Sequence, residues 1–153
     1  MSQQRAIYLD LEETIINNWY DGLILGSNVN RICNTIKERL QPFDSMHIWS
    51  FAIYNEEEVK EFNWRLRPEL EIVMRCKFDT IFSVDSIREL VKEYENINYD
   101  SRAEFMQLNN KFYSFIKYCQ LYKNFHMVLF DDCVPNMIMQ IPDKNLTIET
   151  IKI

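Results

Sequence analysis

Short apolar runs alternate with longer amphipathic stretches along the chain, and the two patterns predict different elements. A run of four to eight apolar residues bounded by polar or turn residues is typical of a buried strand. Such runs predict four strands, at residues 6–9, 46–53, 80–83 and 126–130. The tail, residues 137–153, alternates short apolar and polar pieces, and we expect it to add an edge strand.

The stretches between these strands carry apolar residues at helical spacing or begin with capping residues. Asn28 is a candidate cap for the first helix. Asn55 precedes three glutamates, which suit the positive end of a helix dipole. Pro68 is well placed in the first turn of a third helix. The predicted helices cover residues 28–40, 56–64, 69–77 and 86–94, and residues 102–122 form either one long helix or a pair broken near Asn109 and Asn110.

Strands that alternate with helices over short connections predict an α/β fold with a parallel sheet and helices on both faces. We therefore expect a single three-layer, Rossmann-like domain over residues 1–153. Asp21-Gly22 lies between apolar residues and predicts a hairpin within residues 17–27. Ligands of such sheets bind beyond the carboxyl ends of the strands. Asp10 ends the first predicted strand, Ser50 ends the second, and the Asp131-Asp132 pair ends the last long one, so we expect them to share one edge.

Composition narrows the classes of function. The net charge of −6 disfavours non-specific nucleic-acid binding, which depends on basic side chains. Four scattered cysteines without a CxxC pair favour a reduced, cytoplasmic or intracellular setting. No apolar run reaches the length of roughly 18–20 residues that spans a bilayer, so we expect no membrane segment. Residues 1–5 run straight into a predicted strand, so we expect no signal peptide. Two glycines exclude a glycine-rich phosphate loop.

The segment Leu9-Asp10-Leu11-Glu12-Glu13-Thr14 carries the clearest chemistry. A carboxylate at the end of an apolar strand packs poorly, and a second carboxylate and a hydroxyl follow it at close spacing. This pattern is typical of aspartate-based phosphoryl transfer, in which a carboxylate attacks phosphorus.

Residues 9–15 resemble the LDLDETL motif of the haloacid dehalogenase superfamily, and most of all its small capless phosphatases that act on the RNA polymerase C-terminal domain. His47-Ile48-Trp49-Ser50-Phe51-Ala52 is similar to the second motif of that branch, a strand ending in W-T/S-x-A. Residues 78–83 resemble the strand that follows. Residues 128–136, which contain Asp131, Asp132 and Asn136, resemble the acidic fourth motif, DDxxxN. The resemblance covers about residues 5–136 and implies a capless fold with a hairpin flap.

The resemblance implies roles for the acidic residues. Asp10 would be the nucleophile and would form an aspartyl-phosphate. Mg²⁺ would be held by Asp10, the backbone carbonyl of Glu12, and Asp131 or Asp132, because this ion prefers oxygen ligands.

The resemblance also implies groups that hold the phosphoryl oxygens. Thr14 and Ser50 would donate hydrogen bonds to them, and a lysine would neutralise their charge. Lys111, at a predicted helix start, is our choice, and Lys117 is the alternative that spacing leaves open.

One residue departs from the motif. Glu12 stands where these phosphatases have the aspartate that acts as general acid and base, a task that contributes roughly 10²–10⁴-fold in rate. Glutamate and aspartate have similar acidity. The two side chains differ in length, and misplacing a catalytic group by about 1 Å can lower the rate roughly 10²-fold. We therefore expect weak or lost turnover, with the fold retained.

Two classes of function remain from the sequence. The chain is either a diverged phosphatase fold that acts as a protein-binding regulator, for example of a transcription or nucleic-acid assembly, or an active Mg²⁺-dependent phosphatase on a phosphoprotein or nucleic-acid end. Trp19 and Tyr20, on the predicted hairpin, favour a macromolecular partner if they are exposed. The oligomeric state stays open.

Each candidate also has a purely structural interpretation. Asp10 would then be a strand-end turn residue, Ser50 a cap, Asp131-Asp132 a solvated turn, and Lys111 an exposed helix charge.

Overall fold

The computed structural model describes residues 2–153, which form six strands and six helices. The strands are β1 (Gln4–Leu9), β2 (Ser45–Trp49), β3 (Thr80–Phe82), β4 (Phe125–Asp131), β5 (Met137–Ile141) and β6 (Leu146–Lys152). The helices are α1 (Gly26–Arg39), α2 (Glu56–Arg65), α3 (Arg67–Met74), α4 (Val84–Glu95), α5 (Arg102–Leu108) and α6 (Lys111–Cys119), with a short 3₁₀ turn at Pro142–Lys144.

The six strands make one sheet in the order β3-β2-β1-β4-β6-β5, and every neighbouring pair is parallel except β5 with β6. The chain builds outward from β1 to β2 and β3, and then returns to place β4 on the other side of β1. The strand order therefore reverses between β1 and β4. In open parallel sheets this reversal leaves a crevice at the carboxyl ends of the two strands.

Alternate residues of the central strands face two separate cores, which explains the three layers. Ile7 and Leu9 of β1 pack with α1, α2 and α3, whereas Ala6 and Tyr8 pack with α4, α5 and α6. Both faces of the sheet are covered, as a parallel sheet requires. The prediction of an α/β, Rossmann-like architecture is confirmed at this level.

Several helix boundaries follow the capping residues read from the sequence. The Asn55 side chain accepts a hydrogen bond from the Glu58 amide at 3.0 Å, as predicted. The chain does break near Asn109 and Asn110, since Asn110 caps α6 through the amide of Tyr113. The predicted helix pair, rather than one long helix, is therefore confirmed.

Several predicted element ends were wrong. β2 ends at Trp49 rather than at residue 53, and α4 begins at Val84 rather than at residue 86. α1 begins at Gly26 without a side-chain cap, so Asn28 lies inside the first turn. The reason is that the Leu25 amide bonds the Ile15 carbonyl and turns the chain early. α3 ends at Met74, three residues before the predicted end, because Arg75 adopts the left-handed conformation with φ 56°.

The segment of residues 17–27, which we call the flap, and the tail of residues 137–153 also differ from expectation. The segment predicted as a hairpin forms one antiparallel bridge, Ile16 to Ile24, rather than a strand ladder. Its turn does contain Gly22, at φ 61°. The tail contributes two strands, of which β5 lies at the edge and β6 lies inside the sheet beside β4. Within residues 2–153 no helix is both long enough and apolar enough to cross a membrane.

Candidate functional site

Three charged side chains meet where β1 and β4 end. Asp10 directly follows β1, Asp131 is the last residue of β4, and Lys111 is the first residue of α6. The Lys111 Nζ lies 2.9 Å from Asp10 Oδ1 and 3.2 Å from Asp131 Oδ2. Both carboxylates are buried, with side chains 1% and 0% exposed. One ammonium therefore bridges two carboxylates at the crevice that the strand order creates.

Burial sets the proton affinity of these groups. Burial, together with the charge of Asp131, raises the pKa of Asp10 to about 7, although Lys111 and Thr14 act in the opposite direction. Burial also raises the pKa of Asp131, against the lowering effect of Lys111 and the Cys133 amide. Burial alone would lower the pKa of Lys111, but the two aspartates outweigh it and raise that pKa. The site thus holds carboxylates that require a cation nearby.

Thr14 connects the two acidic segments. Its hydroxyl lies 2.8 Å from Asp10 Oδ2 and 3.3 Å from Asp132 Oδ1, and both oxygens can accept its single proton. The same hydroxyl accepts a hydrogen bond from the Asp132 amide at 3.1 Å. Thr14 is fully buried. It therefore fixes the Asp10 carboxylate against the turn that follows β4.

The Glu12 side chain is bound to the flap. Its Oε2 accepts a hydrogen bond from the Trp19 backbone amide at 2.7 Å. A carboxylate held by a backbone amide is a charge-assisted contact, stronger than a neutral one. The Glu12 side chain is one methylene longer than that of aspartate, and its carboxylate reaches the flap.

Two further contacts hold the flap against α2. The Arg65 guanidinium lies 4.8 Å from the centre of the Trp19 ring and donates a hydrogen bond to the Trp19 carbonyl at 2.7 Å. Gly22 approaches Leu66 so closely that a Cβ there would lie 2.5 Å from Leu66 Cδ2. The tip of the flap remains open to solvent, with Tyr20 90% exposed. The flap is therefore an ordered loop with an exposed tip.

Ser50 lies one residue beyond β2, at the same edge of the sheet, and is buried. Its Oγ accepts a hydrogen bond from the Ala52 amide at 3.0 Å. Ser50 therefore caps the turn that follows β2. Its hydroxyl can still donate its own proton to an acceptor at this edge of the sheet.

The two candidate lysines occupy different surroundings. Lys117 is directed to Asn109 Oδ1 at 2.6 Å and to Glu95 Oε2 at 3.1 Å, which ties α6 to α4 and α5. Of the two lysines, Lys111 is the one that contacts Asp10 and Asp131. The geometry therefore favours Lys111, which the sequence left open against Lys117.

A compact group of ligand atoms lies beside these residues. One oxygen each of Asp131 and Asp132 and the Sγ of Cys133 all lie within 4.8 Å of one another. Asp10 is outside this group and approaches Asp131 through Lys111. The carboxylates supply the hard oxygen ligands that Mg²⁺ prefers, whereas the thiol is a soft ligand that does not suit that ion.

Sequence reasoning missed two participants, the Trp19 amide and Cys133. A backbone amide has no signature in the sequence, and its role depends on how the flap folds back. Cys133 does follow the acidic pair directly, and its thiol lies 3.4 Å from Asp132 Oδ2. That adjacency was a readable signal.

Comparison with known proteins finds no matching family model, no similar curated protein and no similar solved structure. What the site can do is therefore set by its own side chains: a buried carboxylate, an ammonium, a buried hydroxyl and a pair of further carboxylates at one sheet edge.

Proposed function

We propose that this chain is a diverged phosphatase-type domain, resembling the capless haloacid dehalogenase phosphatases, that binds phosphoryl groups with Mg²⁺ but hydrolyses them poorly and acts as a regulator by binding a protein partner. The observation that carries the proposal is the hydrogen bond from the Trp19 amide to Glu12. It engages the carboxylate that hydrolysis would need as acid and base.

The binding half of such a site is supported by the contacts of Asp10. Lys111 supplies a positive charge beside it, and Thr14 orients it through a hydrogen bond. Phosphoryl transfer depends chiefly on positioning and on neutralising the charge of the transferred group. These residues offer both at the entrance to the β1–β4 crevice.

A divalent cation fits the charges of the site. Asp10, Asp131 and Asp132 are three carboxylates against the single ammonium of Lys111, so negative charge is in excess. The Lys111 ammonium is the ion-pair partner of buried Asp10 Oδ1 and Asp131 Oδ2. Within residues 2–153 neither oxygen has a further hydrogen-bond partner. Bound Mg²⁺ would neutralise charge on the phosphoryl oxygens.

The chemistry assigns each residue a task. Asp10 would attack phosphorus, forming an oxygen–phosphorus bond as the bond to the leaving oxygen breaks, and Glu12 would have to give that oxygen a proton. Water would then release phosphate from Asp10, with Glu12 taking the proton back. While Glu12 accepts the Trp19 amide, its carboxylate is held away from both tasks. Turnover should therefore fall by roughly 10²–10⁴-fold.

The alternative is an active phosphatase, and a specific observation favours it. Asp10, Thr14, Lys111 and Asp131 form one contact set, in which all but the partly exposed Lys111 are buried. Should Glu12 leave the Trp19 amide when a substrate binds, nothing else in this set would prevent turnover.

Hydrolysis of an aryl phosphate with and without Mg²⁺ distinguishes the poorly active regulator from the active phosphatase. We expect slow hydrolysis by the wild type, none by Asp10→Asn, and a gain of about 10²-fold in Glu12→Asp. Rapid, Mg²⁺-dependent turnover by the wild type that Asp10→Asn abolishes would establish the active phosphatase. A Glu12→Asp protein as slow as the wild type would show that Glu12 is not the block.

The exposed flap tip supports a macromolecular partner. Tyr20 and Leu23 are 90% and 63% exposed beside the site, and exposed aromatics are frequent anchors of interfaces. A photoreactive residue in place of Tyr20 should crosslink a protein partner in an extract. The matched control is the same residue at Tyr94, which is 46% exposed on α4. Equal crosslinking at both positions would argue against binding through the flap.

A further inference from the structure

The two edges of the sheet are protected to different degrees. One edge is β3, which has three residues, and a short edge strand offers few backbone groups to another chain. The other edge is β5, with five residues, Met137–Ile141. β5 carries no charge and no proline within its length, two devices by which proteins block edge-to-edge pairing. β5 is therefore the unprotected edge of this sheet.

β5 also exposes apolar side chains on both faces of the sheet. Met139 pairs with Ile148 of β6, which belongs to the core under α4 to α6, and Met139 is 36% exposed. Ile138 pairs with Glu149 on the opposite face and is 62% exposed, beside a cleft of about 410 Å³ that Arg39 also lines. Apolar side chains on both sides of an open hydrogen-bonding edge are typical of a strand that pairs with another strand.

We propose that β5 pairs antiparallel with β5 of a second copy of this chain, about a two-fold axis at Met139, so that two six-stranded sheets join into one. The proposal is independent of the chemistry at Asp10.

The sequence of β5 suits a copy of itself. In this register Met139 faces Met139, Met137 faces Ile141, and Ile138 faces Gln140. A two-fold axis perpendicular to the sheet keeps each face on its own side, so the face of Met139 becomes apolar on apolar throughout. An interface of this kind is self-complementary, as two-fold symmetry demands.

The flanking charges are compatible with this register. Asp143 and Lys144 lie in the 3₁₀ turn after β5, outside the five paired residues, and β5 itself carries no charge, so no like charges face each other within this register. The net charge of −6 on each copy opposes association at long range. Five residue pairs make a small interface, so we expect a weak dimer that added salt strengthens.

Sedimentation of the full chain over a range of concentrations tests the pairing. The wild type should show a monomer–dimer equilibrium. Met139→Lys should raise the dimer dissociation constant by about tenfold or more, because two lysines with Cβ atoms about 5 Å apart would face each other and their like charges would repel. Met139→Glu should do the same. An equimolar mixture of the two variants should dimerise again, since opposite charges then face each other.

Ile72→Lys is the matched control, because Ile72 is an apolar residue 75% exposed on α3, and its substitution should leave association unchanged. Circular dichroism would verify that the variants are folded. Amide exchange at residues 137–141 should slow with rising concentration in the wild type. A wild type that stays monomeric at every concentration, a Met139→Lys protein that still dimerises, or a mixture that stays monomeric would each overturn the proposal.

Discussion

At the scale of single residues, Lys111 determines whether two buried carboxylates are tolerated. It contacts Asp10 and Asp131 at 2.9 and 3.2 Å, and its own side chain is only 21% exposed. Removing one partner of a buried ion pair leaves an uncompensated charge. We expect Lys111→Met to lower the free energy of unfolding by roughly 3 kcal/mol in urea titrations without divalent cations.

Lys117→Met provides the comparison for that experiment. Lys117 is 26% exposed and belongs to the same helix, but it faces the partly buried Glu95 and the neutral Asn109. Lys117→Met should therefore lower the free energy of unfolding by less than Lys111→Met does. If both variants lost the same free energy of unfolding, the burial of Asp10 and Asp131 would not depend on Lys111.

Residue types and spacing were sufficient to predict part of the site. Asp10 and Asp131 each follow an apolar run, and parallel strands bring such positions to one edge. The direction of the Glu12 side chain was not predictable, because it depends on a backbone amide seven residues away. Lys111 was chosen for its place at a predicted helix start, but spacing alone did not separate it from Lys117, since both lie on one helix and only the docking of that helix distinguishes them.

At the scale of elements, the flap depends on the one glycine with positive φ. Gly22 has φ 61°, and a Cβ there would lie 2.5 Å from Leu66 Cδ2. Gly22→Ala should therefore lower the free energy of unfolding by about 1–2 kcal/mol. Gly26→Ala is the contrasting variant, because Gly26 begins α1 and a Cβ there meets nothing within 4 Å. It should stabilise the protein by about 0.4–1 kcal/mol.

Chemical denaturation followed by tryptophan fluorescence measures both glycine variants. Trp19, one of three tryptophans in the chain, lies in the flap and contributes to this signal. If Gly22→Ala were as stable as Gly26→Ala, the flap would not be packed on Leu66 in the way described.

The connection between α3 and β3 depends on Glu71 and should give the fold a sensitivity to acid. Its Oε2 accepts the Phe78 amide at 2.7 Å and the Arg67 Nε at 3.1 Å. Burial would raise the pKa of Glu71, but these hydrogen bonds and the charges of Arg67 and Lys77 outweigh burial and lower it. Because the folded pKa is the lower one, the stabilisation is present above the unfolded pKa and is lost as pH falls through the folded pKa.

Urea unfolding between about pH 3 and pH 7 tests the direction of this pH dependence. The wild type should lose stability below about pH 4.3, the ordinary pKa of glutamate, and Glu71→Gln should be less stable at neutral pH and lose less on acidification. Glu69→Gln, an exposed neighbour on the same helix, should follow the wild type. A steeper acid loss in Glu71→Gln than in the wild type would contradict the assignment.

The sequence allowed a break near Asn109 and Asn110, where the Asn110 side chain caps α6. The start of α2 was predictable, because Asn55 was read as a cap and its side chain bonds the amide three residues on. The start of α1 was not, because Leu25 has no capping side chain and its amide is held by Ile15 across the flap. Local chemistry thus predicts local caps, whereas long-range backbone contacts override them.

At the scale of the whole molecule, alternating strands and helices predicted a parallel sheet, but not the position of every strand in it. β6 follows an edge strand in sequence, yet it lies inside the sheet beside β4. Its apolar face, with Leu146 and Ile148, belongs to the core under α4 to α6. The weak alternation of the tail could not show that its second half is more deeply buried than its first.

The crevice between β1 and β4 joins the two halves of the sheet, so a cation bound there should stabilise the whole fold. Asp10 follows β1, Asp131 ends β4, and Lys111 begins α6, so these groups converge only in the folded chain. A ligand that binds only the folded state stabilises it by about 2.7 kcal/mol at a hundred times its dissociation constant. For a chain of this size, that corresponds to a rise in Tm of roughly 5–10 °C.

Thermal unfolding with and without Mg²⁺ measures the effect, and the quantity to compare between variants is the shift that Mg²⁺ causes. Asp131→Asn should lose most of that shift, because it removes a charge from the acidic group at the end of β4. Asp100→Asn, at an exposed position before α5, should keep it. A Mg²⁺ shift of equal size in both variants would place the cation elsewhere, and the acidic edge of the sheet would then have to be explained by Lys111 alone.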